Sequence, residues 1–156
     1  MLNKSIFYSF AIITGFVLTG CAAPGPKFSG LQAVATSTSE LIIYRKSAVF
    51  AAAQTMPVLI DGNKTGVLYN GSFLQQQITP GSHAIKVTTG MLGKPAEASV
   101  QLAAGQRKFM LFDYPAGVLA NPFFVGIALT ERSEAEALID LKELSSAKKV
   151  VADKQN

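Results

Sequence analysis

From Glu40 onward, the chain alternates short apolar runs with clusters of glycine, proline and asparagine at fairly regular spacing. This spacing is typical of an all-β sandwich or barrel, in which each apolar run forms a strand and each cluster forms a turn. The first strands are predicted at residues 41–45 and 57–60. The folded domain is therefore expected to begin near Glu40.

Two dipeptides in the first half of the domain predict tight turns. Asp61-Gly62 and Asn70-Gly71 both favour the two-residue hairpin, because the two central residues of that turn need a positive φ. Two hairpins in succession would form a meander. Its strands are predicted at residues 57–60, 66–69 and 72–78.

The next strands are predicted from alternation. Residues 83–89 place His83, Ile85, Val87 and Thr89 on one face, and residues 98–102 repeat the apolar and polar alternation of a half-buried strand. Residues 108–114 are apolar on both faces for most of their length, which is typical of a strand covered on both sides. This strand is therefore expected to lie in the middle of a sheet and to be the best protected.

The last third of the domain predicts one strand and one helix. Residues 123–129 are predicted to form the last strand. Ser133 and Glu136 fit a capping box, in which the side chain of each residue accepts a hydrogen bond from the backbone N–H of the other residue. Apolar residues then follow at helical spacing, namely Ala137, Leu138, Leu141 and Leu144. The predicted fold is mainly β: an antiparallel β-sandwich of about seven to eight strands with one short C-terminal α-helix.

Residues 1–20 are typical of a secretory signal. Lys4 supplies a positive start, and the apolar stretch of residues 6–18 is shorter than the roughly 20 residues of a membrane span. The stretch ends in Leu18-Thr19-Gly20-Cys21, which resembles the bacterial lipobox Leu-x-(Gly/Ala)-Cys. The resemblance implies cleavage between Gly20 and Cys21, and a diacylglycerol thioether on Cys21. Cys21 is the only cysteine, so it has no partner for an intramolecular disulfide.

The residues around Cys21 also predict where the protein resides. Ala22 and Ala23 follow the cysteine, and neither is the aspartate that resembles an inner-membrane retention signal. In a two-membrane bacterium we therefore expect a lipid anchor in the outer membrane, facing the periplasm. The expected domain organisation is a lipoprotein signal peptide at residues 1–20, a flexible tether at 21–39, a β-sandwich domain at 40–145 and a frayed tail at 146–156.

The charge of the chain is mildly basic. Fourteen Lys and Arg residues face ten Asp and Glu residues, and removal of the signal takes away only Lys4, so the mature charge is 13 − 10 = +3. The basic residues are dispersed and lack the interleaved aromatic residues of a nucleic-acid groove. We expect no nucleic-acid partner, and at most weak attraction to anionic lipid or glycan.

Residues 57–66 and 79–87 look like the pattern Val-x-Val-Asp-Gly-x-x-x-Gly followed by Pro-Gly-x-His-x-Ile-x-Val, with Ile60 in place of the second valine. This pattern resembles the domain-of-unknown-function 2846 family of bacterial lipoproteins and, more distantly, the PEGA domain of surface proteins. Tyr44-Arg45 and residues 104–109 are similar to that family's opening strand and late aromatic strand. The resemblance covers roughly residues 40–145. It implies a small β-sandwich in the cell envelope and no particular activity.

The residues that could carry chemistry are few. His83 is the only histidine, and its phase with Ile85 and Val87 favours a packed residue that finishes a turn over a metal ligand. A zinc or copper site would need further histidine or cysteine ligands. We therefore expect no metal and no cofactor.

Two catalytic sets can be assembled from the sequence, and other readings explain both better. Ser82, His83 and Asp113 could form a nucleophilic triad, but adjacent residues on a strand point to opposite faces. Paired carboxylates for glycoside hydrolysis could come from the acidic residues that the capping box already explains. These are Glu131, Glu134 and Glu136. We do not expect an enzyme.

The apolar loop at residues 115–122, with its flanks, is more hydrophobic than a short connection needs. The favoured interpretation is a lid over the open end of the sandwich. The alternative is an exposed patch that docks a protein partner or touches lipid. The residues expected to contact a partner or ligand are Tyr114, Val118, Leu119, Phe123 and Phe124.

The sequence therefore predicts a location and a fold better than an activity. The expected function is that of a non-enzymatic, lipid-anchored envelope protein that serves as a scaffold or binding module for an envelope protein or glycan. The first alternative is a carrier or sensor of a small apolar ligand held between sheet and loop. The second is an envelope enzyme with an unrecognised site.

Overall fold

The computed structural model describes residues 23–89, 94–114 and 127–150, and within these ranges the chain forms ten strands and one helix. No helix in the described ranges is long and apolar enough to cross a membrane. In chain order the elements are β1 Ser39–Arg45, β2 Met56–Ile60, β3 Asn63–Leu68, β4 Ser72–Ile78, β5 Gly81–Val87, β6 Ala96–Leu102, β7 Arg107–Asp113, β8 Ala128–Arg132, α1 Glu134–Leu141, β9 Ser145–Ser146 and β10 Lys148–Lys149.

The strands form two five-stranded sheets, with the order β8-β7-β1-β4-β9 in sheet 1 and β10-β3-β2-β5-β6 in sheet 2. The predicted mainly β sandwich with one short helix is confirmed. The pairing differs from the antiparallel prediction in two places, because β1 runs parallel to β7 and β4 runs parallel to β9. The other strand pairs are antiparallel.

The two predicted hairpin turns have different outcomes. Asp61 and Gly62 have φ values of 52° and 79°, and they join β2 to β3 in the expected tight hairpin. At Asn70-Gly71, by contrast, the chain leaves sheet 2 and enters sheet 1, so the predicted meander is wrong. The Asn-Gly dipeptide predicts a local turn, but it does not determine which strands pair. On the side away from β2, β3 pairs with β10, which comes much later in the chain.

The most protected strand is β1, in which every residue is buried. β7 is buried from Phe109 to Phe112, as its two apolar faces predicted, but it lies beside β1 and not at the centre of the sheet. The expectation that β7 is the central strand is therefore corrected. The signal was weak because β1 includes the polar residues Ser39, Glu40 and Arg45, which lower its hydrophobicity although all three are buried.

Two hydrophobic clusters hold the fold. The first fills the space between the sheets and includes Ile43, Val58 and Phe112. The second lies on the other face of sheet 1, where Ile42 and Tyr44 contact α1. The capping box is confirmed, with the Ser133 hydroxyl accepting from the Glu136 N–H and the Glu136 carboxylate accepting from the Ser133 N–H.

Residues 25–32, which we name the N-terminal strap, lie against the domain. The Gly25 N–H donates to the Ser146 carbonyl at 3.0 Å, and the Phe28 N–H donates to the Leu144 carbonyl at 3.0 Å. The Phe28 ring meets Phe73 edge-on, with the ring centroids 5.6 Å apart. Farther along, the Gln32 carbonyl accepts a hydrogen bond from Arg107.

The expected flexible tether at residues 21–39 is therefore corrected over the strap. Small and polar residues give little hydrophobic pattern, but Phe28 and Leu31 complete the second cluster. The frayed tail expected at residues 146–156 is corrected for residues 146–150, because β9 pairs with β4 and β10 pairs with β3, while residues 151–156 lie outside the described residues. These two short strands carry the chain from sheet 1 to sheet 2 through the buried Ala147.

Truncation of the strap's aromatic residue tests this correction. Phe28→Ala is expected to lower the free energy of unfolding by about 2 kcal/mol, because it removes a half-buried ring from the second cluster. Urea denaturation of the mature chain gives the value. Ser29→Ala, next to it and exposed, is the matched control and is expected to change little. Equal stability of both variants would mean that the strap is a free tether after all.

Candidate functional site

The end of the sandwich where β1 and β7 finish contains the most unusual polar group of the described chain. We name it the Arg45 end, and it consists of Arg45, Phe50, Ala51, Gln54 and Tyr114. The strands β1 and β7 run parallel, so their last residues lie at the same end of sheet 1. The loop between β1 and β2 folds over this end of the sheet, and two of its carbonyl groups accept hydrogen bonds from the arginine side chain.

Arg45 is only 2% exposed. Its Nη1 donates to the Gln54 carbonyl at 2.7 Å, and its Nη2 donates to the Ala51 carbonyl at 2.6 Å. Ala51 has a φ of 54°, a left-handed conformation that a non-glycine residue rarely adopts. The guanidinium therefore fixes a loop whose backbone turns sharply beneath it.

The charge of Arg45 has no neutralising partner in the described part of the chain. None of the ion pairs formed by described residues includes it. Burial lowers the pKa of Arg45, and nearby Tyr114 acts in the opposite direction. A buried cation without a counterion costs several kcal/mol. Its Nε is also buried without a hydrogen-bond partner among the described residues.

Tyr114 is the second unsatisfied group at the Arg45 end. Its ring packs edge-on against Phe50 and Phe112, with centroid distances of 5.1 and 5.6 Å. Its hydroxyl is buried and has no partner among the described residues. Burial raises the pKa of Tyr114, and the charge of Arg45 acts against that rise. The Arg45 Nε–H and the Tyr114 hydroxyl are therefore two buried donors without acceptors among the described residues.

Tyr114 is the only one of the expected contact residues within the described chain. Val118, Leu119, Phe123 and Phe124 lie outside the described residues, as do Gly20 and Cys21. Whether residues 115–122 form a lid or a docking surface stays a prediction. The strand expected at residues 123–129 is described only from residue 127 onward, where β8 begins at Ala128.

His83 belongs to a second polar site, at the hairpin between β2 and β3. Its Nδ1 lies 2.6 Å from Asp61 Oδ2, and its Nε2 donates to the Thr79 carbonyl at 2.8 Å. The other carboxylate oxygen of Asp61 accepts from the Ala84 N–H at 2.9 Å. The side chain of His83 is therefore saturated, and it fastens the hairpin to β5. Its interpretation as a packed residue that finishes a turn is confirmed.

The environment of His83 favours its charged form. Both ring nitrogens lie within hydrogen-bond distance of oxygen atoms, an arrangement that favours a proton on each nitrogen. The hydrogen bond to Asp61 raises the pKa of His83, partly offset by burial. The hydrogen bonds from His83 and Ala84 lower the pKa of Asp61. Sequence reasoning missed Asp61 as the partner, although Asp61 and His83 are the polar residues of the two motifs that it singled out.

The nucleophilic triad considered from the sequence is not assembled. His83 lies in sheet 2 and Asp113 lies at the end of β7 in sheet 1, while Ser82 is exposed on the opposite face of β5 from the buried His83. Glu131 pairs with Lys108 at 2.9 Å, and Glu136 caps the helix. Among the described residues, no group of three or more His, Cys, Asp or Glu side chains could hold a metal ion.

Glu40 and Arg107 form an ion pair that sequence reasoning also missed. Their side chains are 6% and 12% exposed, and Gln75 Nε2 donates to Glu40 at 2.7 Å. Arg107 also donates to the Gln32 carbonyl, so the pair holds the strap and is structural. The sequence signal for this ion pair is that Glu40 near the start of β1 and Arg107 at the start of β7 have opposite charges. That signal depends on the parallel pairing of β1 and β7, which the sequence did not predict.

Comparison with known proteins gives one match. A family model described as protein of unknown function (DUF2846) matches residues 35–126, which is more than half of the chain. Neither the curated proteins nor the solved structures yield a match. The matched segment includes Arg45, Asp61, His83 and Tyr114, so both polar sites belong to the family domain.

Removal of the Tyr114 hydroxyl tests whether it is unsatisfied. Tyr114→Phe is expected to leave the free energy of unfolding unchanged or to raise it by up to about 1 kcal/mol, because a buried hydroxyl without a partner is costly. Tyr44→Phe is the matched control, since the Tyr44 hydroxyl donates to Asp140 at 3.0 Å and its loss is expected to cost about 1 kcal/mol. A similar loss in both variants would show that the Tyr114 hydroxyl has a partner.

The pH dependence of stability tests the pair of His83 and Asp61. The raised pKa of His83 gives a contribution that is fully present below the unfolded value of about 6.5 and is lost as the pH rises through the folded pKa. The lowered pKa of Asp61 gives a contribution that is present above about 3.9 and is lost as the pH falls through the folded pKa. The part of the stability that comes from this pair is therefore expected to be largest between about pH 4 and pH 6.5.

Urea denaturation at a series of pH values measures this dependence. Asp61→Asn is expected to flatten both limbs of the curve, because it removes the charge that the His83 ring faces. Asp113→Asn is the matched control, since Asp113 is exposed and lies in the other sheet. An unchanged curve in Asp61→Asn would contradict the assignment of the pH dependence to this pair.

Proposed function

This chain belongs to the DUF2846 family, and on that premise we propose that it is a lipid-anchored cell-envelope protein that serves as a non-enzymatic scaffold or binding module. The proposed anchor is a diacylglycerol on Cys21. In a bacterium with two membranes, the proposed location is the periplasmic face of the outer membrane. The proposed partner is an envelope protein or glycan, and the distant likeness to the PEGA domain stays part of this proposal.

The single observation that carries the proposal is the short distance along the chain between the lipobox and the folded domain. Cys21 closes the lipobox, and the Gly25 N–H is already hydrogen-bonded to Ser146. Four residues span at most about 14 Å even when fully extended. A lipid on Cys21 would therefore hold the sandwich directly against the membrane, where it could present a binding face to a partner.

The described polar sites support a role without catalysis. Asp61 and His83 bind each other and the main chain, and Glu40 and Arg107 hold the strap. Each of these titratable pairs is used to fasten one segment of the chain to another. A scaffold needs this kind of rigid support, because binding faces are most specific when they are held in one conformation.

The Arg45 end favours a second candidate function, which is the carrier or sensor of a small ligand. The unpaired Arg45 Nε and Tyr114 hydroxyl are two donors in an otherwise aromatic environment. An apolar molecule with a hydrogen-bond acceptor at one end matches that chemistry. Under this candidate function, Tyr114→Phe would weaken ligand binding without a loss of stability.

The anchor is tested by Cys21→Ser in the native host. Membrane fractionation with mass spectrometry of the N-terminal peptide is expected to show an acylated Cys21 in the wild type and a soluble, unmodified chain in the variant. In-cell crosslinking is expected to capture envelope partners that are lost in Cys21→Ser. Ala23→Ser is the matched control and is expected to keep both the lipid and the partners.

Two results would contradict the proposal. An unmodified Cys21 in a soluble wild-type chain would remove the lipid anchor. If Cys21 is acylated in the wild type but the same partners are crosslinked in the wild type and in Cys21→Ser, membrane attachment does not serve partner binding.

A further inference from the structure

We propose that the edge of the sandwich formed by the strap and β10 is a basic surface that contacts anionic phospholipid. We name this surface the basic edge, and it consists of Lys27, Lys148 and Lys149. The inference rests on the proposed lipid anchor for the orientation of the protein. It adds the face of the domain that meets the bilayer and the headgroup chemistry that this face binds.

The three lysines come together through strand pairing. Lys27 lies in the strap and forms an isolated β-bridge with Ser145, while Lys148 and Lys149 form β10 two residues beyond β9. Lys27 and Lys149 line the same surface cavity, which has a volume of 220 Å³. All three residues are exposed. Segments more than 100 residues apart in the chain therefore meet at one edge, with Lys27 and Lys149 beside the same cavity and Lys148 on the opposite face of β10.

The charge of the basic edge is not neutralised by the described acidic residues around it. None of the described ion pairs includes Lys27, Lys148 or Lys149, and Lys27 Nζ donates to the main-chain carbonyl of Glu143 at 2.7 Å. Glu40 shares a groove with Lys149, but its carboxylate is already paired with Arg107. Lys142 and Glu143 are both exposed and adjacent in the chain, so their formal charges sum to zero.

The opposite edge of the sandwich has a different charge arrangement. There, Lys86 pairs with Glu97 at 2.8 Å between β5 and β6, and Lys108 pairs with Glu131 at 2.9 Å between β7 and β8. The sheet order places β6 and β8 at the far side from β10 and β9. Lys86 and Lys108 are therefore paired with glutamates at the far edge, whereas Lys27, Lys148 and Lys149 form no ion pair with the described residues.

The position of the anchor makes this asymmetry useful. The strap is hydrogen-bonded to the domain from Gly25, which would keep a lipid on Cys21 within about 14 Å of Gly25, two residues before Lys27. Electrostatic attraction to an anionic leaflet acts over about one Debye length, roughly 8–10 Å in physiological salt. Each lysine held near such a surface raises affinity by about fivefold. The basic edge would thus fix which side of the tethered domain faces the lipid.

Lysines on an edge strand also have a structural explanation, since they discourage pairing with another chain. That role needs no lipid and predicts no preference for anionic vesicles. The experiment therefore compares lipid surfaces as well as protein variants.

The test uses the mature chain from residue 21 with Cys21→Ser, which contains every described contact and carries no lipid. Its cosedimentation is measured with vesicles of phosphatidylglycerol and phosphatidylcholine mixed, and with phosphatidylcholine alone, at low and high salt. K148Q/K149Q is expected to lower binding to the anionic vesicles about 25-fold, and Lys27→Gln about fivefold. K86Q/K108Q is the matched control, because it removes the same charge from the far edge. Thermal unfolding verifies that each variant is folded.

Binding that needs anionic lipid, weakens in high salt and is lost in K148Q/K149Q but kept in K86Q/K108Q would support the proposal. Binding that is absent, that is equal on both kinds of vesicle, or that both double variants lower equally would overturn it. Stronger binding to a soluble polyanion than to vesicles would also overturn it, in favour of a glycan partner. Since this chain has no lipid, the outcome is independent of whether Cys21 is acylated in the cell.

Discussion

The fold depends on the burial of β1 on both faces. One face of β1 packs between the two sheets, and the other face, with Ile42 and Tyr44, would be exposed if sheet 1 were the outer layer. The helix α1 covers part of that outer face, and the strap covers the rest through Phe28 and Leu31. Segments from both ends of the described chain are therefore required to bury the outer face of β1.

The polar residues of the structure serve this same requirement. Glu40 and Arg107 fasten the strap at the start of β1, and Tyr44 hydrogen-bonds Asp140 beneath the helix. Arg45, at the end of β1, is different, because it holds a loop through two carbonyls while its charge has no counterion among the described residues. Groups of this kind are costly, and for that reason the Arg45 end supports the second candidate function.

The strap also links the fold to the proposed function. A tether that becomes part of the core after only a few residues cannot let the domain move far from a lipid on Cys21. Under the proposed lipid anchor, the position of the strap on the domain would determine which side faces the membrane. That side carries unpaired lysines, whereas the far edge carries lysines that are paired with glutamates. The proposed anchoring and the proposed orientation thus depend on the same short connection.

The sequence by itself determined the strand alternation, the Asp61-Gly62 hairpin, the capping box at Ser133 and the family motifs, because each of these depends on residues close together in the chain. Only the tertiary structure decided that Asn70-Gly71 crosses between sheets, that β1 is central, that Asp61 meets His83, and that the strap and β10 share an edge. These features arise from pairing between distant segments. The local hydrophobic pattern predicts which residues are buried, but it does not predict which distant segment covers them.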